Sequence, residues 1–188
     1  MKKCLVLAAL LTVTTAAQAA REDWYAYWAI GAAEHDYPGN LGAALDQLAA
    51  DPNVERVTGG IDMLGFYWPT SINGITGVVV SGSFDSFTGP GLDAQVNQYL
   101  YAISNMTFFG REIGDGLYLR AEVGMAAITV TDRFDIVTSE TGYGYLLGVG
   151  YGIPVSEESR ILLNMNFSDK QVGGDSWRSV TFNVGGLW

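Results

Sequence analysis

The sequence predicts an all-β fold: an eight-stranded antiparallel up-and-down transmembrane barrel with a short helix in its first long loop. Three observations support this prediction. The N-terminus has the composition of an export signal, candidate strands recur along the rest of the chain, and the last strand alternates strictly between apolar and polar side chains. The apolar face of this last strand carries Val180, Phe182, Val184, Gly186 and Trp188.

Residues 1–19 are predicted to be a secretory signal peptide that is removed from the protein. A charged start precedes a short apolar run, which ends in a small-residue cleavage pattern at Ala19. The run is shorter than the ~20 residues that a membrane-spanning helix needs. Cys4 is the only cysteine of the sequence, so the remaining domain, 20–188, is predicted to have no thiol for a disulfide, for catalysis or for a metal.

The composition combines 48% hydrophobic residues with a formal net charge of −10. Strands with one lipid-facing side explain how so acidic a chain is also so apolar. The negative charge argues against a nucleic-acid partner. We interpret the acidic residues as a solvated loop surface, and binding of divalent cations at a lipopolysaccharide surface is the alternative.

Eight strands are predicted, each bounded by turn-forming residues. Most are near the ~9–11 residues that a tilted strand needs to cross a bilayer. The predicted strands are Trp24–Ala33, Thr58–Trp68, Ile75–Phe87, Gln98–Phe109, Leu117–Thr131, Tyr143–Val155, Arg160–Asp169 and Trp177–Trp188. Short turns alternate with longer loops, which are predicted at 34–57, 88–97, 132–142 and 170–176.

The sixth predicted strand shows its two faces most clearly. Its even positions are almost all glycine, whereas its odd positions carry tyrosines at both ends and aliphatic residues between them. This pattern is typical of a lipid-facing strand between two aromatic girdles. A soluble barrel with its apolar faces inside is the alternative, and the end-placed tyrosines argue against it. The residues predicted to face lipid are Tyr143, Tyr145, Leu147, Val149 and Tyr151.

Arg120 and Glu122 share the inner face of the fifth strand, opposite an apolar outer face that runs from Leu117 to Met125. Buried charges must be paired, so we predict that these two pair within a polar network that plugs the lumen. A gate or a proton path is the alternative, but eight strands leave room only for side chains. The network is predicted to contain Asp62, Tyr118, Arg120, Glu122, Asn164, Asn166 and Asn183, with Thr181 on the same inner face.

A short helix is predicted in the first long loop, with Asn40 as its N-cap and Pro52 beyond its end. A helix of this length is marginal by itself, so it must pack on the barrel mouth or lie on the membrane surface. We favour loop packing over a partner-binding helix. The apolar positions at helical spacing are Leu41, Ala44, Leu45 and Leu48.

His35, the only histidine, is predicted to be a surface residue where the first strand runs out into an acidic loop. The flanking Glu34 and Asp36 are expected to raise its pKa by their charge. No sequence motif nominates a nucleophilic serine beside it, and one histidine without cysteine does not make a zinc site. We therefore predict no catalytic, cofactor-binding or metal-binding residue.

The terminal strand, the signal sequence and the segment Gly116–Gly124 resemble small bacterial outer-membrane β-barrel proteins of the OmpA and OmpX type. The resemblance implies a location in the outer membrane of a Gram-negative bacterium, with Trp188 at the periplasmic rim and the long loops outside. It implies outer-membrane lipid and lipopolysaccharide as surroundings, and the barrel-assembly machinery as partner during insertion. The assembly signal is predicted to be Val180, Phe182, Val184 and Trp188.

The predicted function is that of a monomeric, non-enzymatic barrel with a structural or surface-interaction role. A lipid A-modifying enzyme is one alternative, because the resemblance extends to eight-stranded barrels that acylate or deacylate lipid A. Such an enzyme would need a serine partner for His35. A narrow channel is the other alternative, and it would need a lumen that Arg120 and its neighbours do not block.

Overall fold

The computed structural model describes residues 24–132 and 135–188. The predicted signal peptide lies outside these residues. The described part of the chain forms nine strands and one helix, α1, which spans Leu41–Ala49. The strands are β1 (Tyr25–Asp36), β2 (Glu55–Ser71), β3 (Gly74–Gly89), β4 (Leu92–Phe108), β5 (Gly116–Thr131), β6 (Ile136–Thr138), β7 (Gly142–Pro154), β8 (Arg160–Val172) and β9 (Asp175–Leu187).

Eight of these strands close into an antiparallel barrel. Neighbours in sequence pair with one another, β5 pairs with β7, and β9 returns to pair with β1 along ten residue pairs from Tyr27↔Leu187 to Asp36↔Arg178. A closed barrel leaves no strand edge, so its backbone hydrogen bonds are satisfied without water. The predicted all-β, eight-stranded up-and-down barrel is therefore confirmed.

The ninth strand, β6, is an addition to the prediction and lies in the expected loop 132–142. It pairs with Thr129–Thr131 at the C-terminal end of β5. At this height β7 has not yet begun, since its first residue, Gly142, pairs with Ala126. β6 therefore extends the wall beside β5 past Gly142, the first residue of β7.

The prediction of loops at 88–97 and 170–176 is wrong. β3 and β4 pair as far as Gly89↔Leu92, and β8 and β9 pair as far as Val172↔Asp175, so each connection is a two-residue turn. In the second turn Gly173 and Gly174 have φ values of 64° and 89°, which suit a tight hairpin. Along these segments the alternation of side chains continues, so the strands extend beyond the membrane. The turn residues at the tips of the hairpins had suggested that the whole segments are loops.

β2 contains a bulge at Met63. Asp62 pairs with Ala29 of β1 and with Ser81 of β3, but the pairing resumes only at Leu64 or Gly65. Met63 and Leu64 consequently both point outward and are 44% and 49% exposed, whereas Asp62 points into the lumen. The inward position of Asp62 agrees with the prediction from its break in the apolar pattern.

The predicted helix is confirmed, and it packs on the barrel mouth. Leu41 and Leu45 contact the buried apolar cluster of the barrel, together with Trp177 of β9. Asn40 precedes the helix as expected, but its side chain makes no capping hydrogen bond. Across the described residues, none of the helices is both long and apolar enough to cross a membrane.

Candidate functional site

The centre of the lumen is occupied by Arg120, which is 1% exposed. Its guanidinium binds Asp62 in a bidentate manner, with Nη1–Oδ2 and Nη2–Oδ1 distances of 2.7 and 3.0 Å. Its Nε donates to Glu122 Oε1 at 2.6 Å. β2 and β5 are not neighbours in the barrel, so this cluster joins opposite walls across the lumen. Arg120 thus forms ion pairs with both Asp62 and Glu122.

Hydroxyl groups satisfy the remaining lone pairs of the two carboxylates. Ser81 and Ser104 donate to Glu122 at 2.7 and 3.1 Å. The Tyr27 hydroxyl donates to Asp62 Oδ2 at 2.8 Å. Such bonds are what a buried charge cluster needs to offset its desolvation cost.

Asparagines extend the network toward β8 and β9. Asn164 donates to the Tyr27 hydroxyl at 3.3 Å, and Asn166 donates to Asn164 Oδ1 and Thr181 Oγ1 at 2.6 and 3.1 Å. Asn183 also faces the lumen and is 4% exposed, but its Oδ1 has no hydrogen-bond partner. The structure thus brings the predicted asparagines to one region and links two of them to the charge cluster.

Tyr118 lies at the lower edge of the network. It is fully buried and packs against Phe108 with ring centroids 5.0 Å apart. Its hydroxyl forms no hydrogen bond of ordinary geometry. Tyr118 therefore fills space beneath the charge cluster.

Four members of the network were missed from the sequence: Tyr27, Tyr67, Ser81 and Ser104. All lie on the first four strands, whose alternation is weaker. Ser81 and Ser104 resemble turn or surface residues when viewed singly. The inward position of Tyr27 is easier to predict from the sequence than that of the serines, since Tyr25 and Tyr27 alternate with Ala26 and Trp28 at the start of β1.

Below the network the interior of the barrel is filled by apolar side chains, here called the apolar floor. Its members are fully or nearly fully buried, and Arg160 covers one of them by lying 5.9 Å from the ring centroid of Tyr25. Arg160 also donates to the carbonyl of Ile113 in the turn between β4 and β5. The floor consists of Tyr25, Ile75, Phe108, Ile113, Leu162 and Leu187.

Above the network a cavity of about 10 Å³ is lined by polar groups that include Asn166, Lys170 and Thr181. This volume has room for about one water molecule. Lys170 is 2% exposed and donates to Ser168 at 2.7 Å. Polar side chains therefore continue above the charge cluster.

His35 is not the surface residue that the sequence predicted. β1 continues to Asp36, and His35 points into the lumen opposite Ser179 of β9. Its ring stacks on Tyr37 with centroids 5.5 Å apart, and both ring nitrogens are buried without a hydrogen-bond partner. Glu34 and Asp36 point outward because adjacent strand residues alternate between faces. Within residues 24–132 and 135–188, no serine hydroxyl is bonded to His35.

At the barrel mouth that carries α1, a buried carboxylate, Asp85, is the centre of a group of hydrogen bonds. It accepts hydrogen bonds from Arg56 Nε and Nη2 at 2.9 and 2.7 Å, and from the Tyr37 hydroxyl at 2.9 Å. Arg56 also reaches Asp46 of α1 at 3.0 Å. These bonds tie the helix to β2 and β3. Burial and the charge of Asp85 raise the pKa of Tyr37.

We expect the mouth to lose stability in acid because of His35, which lies above the apolar band at the height of the exposed Glu34 and Asp36. Burial lowers the pKa of His35 from 6.5 to about 4, against the attraction of Asp85 and with a smaller contribution from Lys170 and Arg56. The unfolded chain therefore takes up a proton in this range that the folded chain does not, so stability present above pH 6.5 declines as the pH falls toward 4.

The measurement is urea unfolding of the wild type and of His35→Phe at pH 7 and 4.5, in lipid vesicles. The phenyl ring keeps the stack on Tyr37 and does not titrate. The free energy of unfolding of the wild type, relative to that of His35→Phe, should be lower at pH 4.5 than at pH 7. An equal difference at both pH values would show that His35 does not titrate with folding.

The outer surface of the barrel is an apolar belt. The residues predicted to face lipid lie on the outward face of β7 and are 42–70% exposed. Aromatic side chains flank the belt at both ends, as expected at membrane interfaces. Toward the end that carries α1 they are Tyr99, Tyr101, Tyr143, Tyr145 and Phe167, and toward the end that carries Trp188 they are Trp24, Trp28, Trp68, Phe109, Tyr151 and Trp188 itself.

Trp188 lies at the seam where the two ends of the chain meet. Its backbone exchanges both hydrogen bonds with Ala26, at 2.6 and 3.1 Å, and its ring meets Trp28 edge-on. Phe182 and Val184 precede it on the outward face and are more than half exposed. Val180, also on this face, is partly buried. The role of these residues in assembly stays a prediction.

Trp188→Asp should lower the yield of protein in the outer membrane and leave unassembled chain in the periplasm. The substitution places a charge at the lipid interface and removes the aromatic contact with Trp28 at the closing seam. Heat-modifiability gels of membrane and periplasmic fractions measure the effect. Normal assembly of the variant would contradict the assignment of this terminal strand as an assembly signal.

Among the described residues, no group of three histidine, aspartate or glutamate side chains is placed to hold a metal ion. No family model and no curated protein sequence matches the chain.

Solved structures do match, at low sequence identity. Neisserial surface protein A shares 11% identity at a TM-score of 0.56, with 88% of this chain and 96% of that chain covered. Ail, the attachment invasion locus protein of Yersinia pestis, in complex with the heparin analogue sucrose octasulfate, shares 8% identity at a TM-score of 0.53, with 89% and 100% covered. These matches show the fold. With its closed wall and its apolar belt, the chain is an integral membrane β-barrel with the fold of small outer-membrane barrels.

Proposed function

We propose that the protein is a non-conducting, non-enzymatic barrel that anchors an acidic extracellular surface for contact with lipopolysaccharide. The observation that carries this proposal is the buried Arg120–Asp62–Glu122 cluster, which fills the lumen between the apolar floor and the closed mouth. A side-chain network with most of its polar atoms bonded supports a plug. It leaves the outside of the barrel as the surface that partners can reach.

The surface above the apolar belt supports contact with lipopolysaccharide through divalent cations. Its exposed charged residues are predominantly acidic, and a lipopolysaccharide leaflet is itself anionic, so divalent cations are needed to bridge the two. The sulfated ligand of the Yersinia protein is a polyanion, which the net charge of −10 of this chain would repel. The exposed acidic residues are Glu34, Asp36, Asp46, Asp51, Glu55, Asp93, Asp132, Asp135, Glu140 and Asp175.

The test of the plug is conductance in planar lipid bilayers. Purified, heat-modifiable protein should give no single-channel steps above those of empty bilayers. Discrete steps would replace this proposal with the narrow channel. Arg120→Ala provides a positive comparison, because it removes the side chain that spans the lumen.

The test of the non-enzymatic role is mass analysis of lipid A from cells with and without the protein. Acylation should be the same in both, and His35→Ala should not change it. A shift in lipid A mass that His35→Ala abolishes would establish the enzyme instead.

The test of the surface role is thermal unfolding in vesicles with and without lipopolysaccharide. Magnesium with lipopolysaccharide should raise the unfolding temperature, and chelation should reverse the rise, because binding to the folded state stabilises it. Replacing Glu34, Asp36 and Asp93 by their amides should reduce the shift. A shift that is unaffected by chelation would contradict bridging by cations.

A further inference from the structure

Helix α1 lies over the mouth of the barrel and is held there by few contacts. None of its residues is buried, and Leu41 and Leu45 pack against the apolar cluster inside the barrel. An ion pair joins Asp46 of α1 to Arg56, but it lies at the surface, where the Asp46 side chain is 73% exposed. Surface ion pairs contribute little, and a short helix is marginal by itself. The groups beneath α1 therefore decide whether it stays in place.

Tyr37 connects the helix to the interior of the barrel. A Cβ at Gly42 of α1 would lie 3.7 Å from the Cβ of Tyr37, so the two backbones are in contact distance. The Tyr37 ring meets Trp177 edge-on on one side and stacks on His35 on another. Its hydroxyl donates to Asp85 Oδ2 at 2.9 Å. The position of Tyr37 thus determines where α1 rests.

Asp85 is shared by two connections between α1 and the barrel. It accepts a hydrogen bond from Tyr37, which contacts the helix, and two from Arg56, which also reaches Asp46 of the helix. The Asp85 carboxylate is itself fully buried. A new positive charge beside this carboxylate would therefore disturb both connections at once.

His35 is the titratable group that lies against this arrangement. Its ring is nearly parallel to that of Tyr37, with 19° between the two planes, and both of its nitrogens are buried without a hydrogen-bond partner. A neutral imidazole in this place forgoes one donated and one accepted bond. Protonation adds a second donor and a charge, and a buried charge is costly unless it is paired.

Three charged side chains face His35 from other strands: Asp85 of β3, Arg56 of β2 and Lys170 of β8. From β9 the facing residue is the uncharged Ser179. The two cations repel an imidazolium, whereas Asp85 attracts it but is already bonded to Arg56 and Tyr37. The imidazolium gains a bond to Asp85 only by displacing one of these, and it gains water only by moving Tyr37 aside.

We propose that α1 is an acid-released cover of the barrel mouth: protonation of His35 separates Tyr37 and the helix from Asp85 and exposes the apolar upper lumen, while the eight-stranded wall stays folded. The upper lumen consists of the inward side chains at this end of the strands, among them Val96, Ile128 and Val172, which are 3–5% exposed under the helix.

The direction of the pH effect follows from burial. Burial lowers the pKa of His35 from 6.5 to about 4, and release of the cover removes this burial, so acid favours the released state. The charge cluster around Arg120 lies deeper in the lumen and does not take part. The cover therefore does not rest on the proposed surface function.

The reactivity of a thiol beneath the helix tests the cover. In a chain with Cys4→Ser, Val96→Cys places a thiol in the upper lumen, and Thr88→Cys places one on the exposed outer face at the end of β3. A dipyridyl disulfide, which reacts with thiols in acid as well as at neutral pH, is added to protein in lipid vesicles. The rate at Val96→Cys divided by that at Thr88→Cys should rise about tenfold from pH 7 to pH 4.5. With His35→Phe in both chains the ratio should not rise.

Asp46→Asn tests the helix without changing the interior of the barrel. It removes the ion pair with Arg56, so the ratio of rates should be higher already at pH 7, and the midpoint of its rise should move to higher pH. Asp175→Asn is the matched control, because it removes an exposed acid at the tip of the β8–β9 hairpin. It should change neither the ratio nor the midpoint.

Three results overturn the proposal: a ratio that does not change with pH, a rise that persists with His35→Phe, and equal effects of Asp46→Asn and Asp175→Asn. The wall must also stay folded. Met106→Cys, at a fully buried position of β4 nearer the other end of the lumen, should remain unlabelled at pH 4.5, and the protein should remain heat-modifiable. Labelling of Met106→Cys in acid would show that the whole barrel opens and would overturn a local cover.

Discussion

Arg120→Met should be the most destabilising single substitution in the lumen, with a loss of about 3–5 kcal/mol in the free energy of unfolding. The substitution leaves two carboxylates, Asp62 and Glu122, buried without their positive partner. Their hydroxyl partners remain, but neutral donors do not replace the guanidinium. Urea unfolding after refolding into lipid vesicles measures the loss.

Glu122→Gln is the matched comparison and should be clearly milder. The bidentate pair between Arg120 and Asp62 persists in this variant, so no buried charge loses its only partner. The triple variant Arg120→Met, Asp62→Leu, Glu122→Leu should regain part of the stability lost in Arg120→Met, because it removes all three charges. A triple variant less stable than Arg120→Met would contradict this account of the cluster.

Leu147→Arg should destabilise the protein by about 2–4 kcal/mol in lipid. Leu147 is 55% exposed on the outward face of β7, between the tyrosines of the two girdles, so the guanidinium would lie in hydrocarbon. Urea unfolding in lipid vesicles measures the effect, together with the fraction of protein that refolds.

The control for Leu147→Arg is Thr88→Arg. Thr88 is exposed at the far extracellular end of β3, where water is available, so the same charge should cost little. Equal losses in both variants would place Leu147 outside the membrane. Gly148→Ala is not a neutral control, because its added Cβ would contact Asn166 Oδ1 and disturb the bonds of Asn166 to Asn164 and Thr181.

The barrel and the orientation of its later strands could be predicted because a period of two is explicit in their residues. Glycines alternate with Tyr143, Tyr145 and Leu147 in β7, and no helical or buried-core pattern competes with that alternation. In β3 serine and glycine occur on both faces, and in β4 polar residues lie outside as well as inside, so the residues alone do not distinguish inside from outside. Closure of the barrel, to which every strand contributes, decides between them.

The upper ends of the strands could not be predicted for a different reason. Residues such as Asp93, Gln95 and Asn97 alternate with Ala94 and Val96, but their outward side chains meet water instead of lipid. Polar residues on the outer face then look like loop residues. His35 was misplaced by the same effect, since the acidic residues beside it mark the end of the membrane and not the end of β1.

The partners within the lumen depend on distances that no single strand encodes. Asp62 and Arg120 are 58 residues apart in sequence and lie on strands that are not adjacent in the barrel. Their contact follows from the tilt and stagger of all eight strands. The alternation of side chains along each strand predicted that Asp62 and Arg120 both face inward. Only the closed barrel shows that Asp62 binds Arg120 with two hydrogen bonds.

The bulge at Met63 determines where a single residue can be deleted from the barrel without changing which side chains face the lumen. Below the bulge, Gly65 and Tyr67 face the lumen, and above it Asp62 does. Deleting Met63 would leave Asp62, Leu64 and Gly65 in plain alternation, with each side chain still on its present side of the wall. Deleting Tyr27 from β1 would instead turn one half of that strand inside out, so in-frame loss of one residue should be tolerated at Met63 and not there.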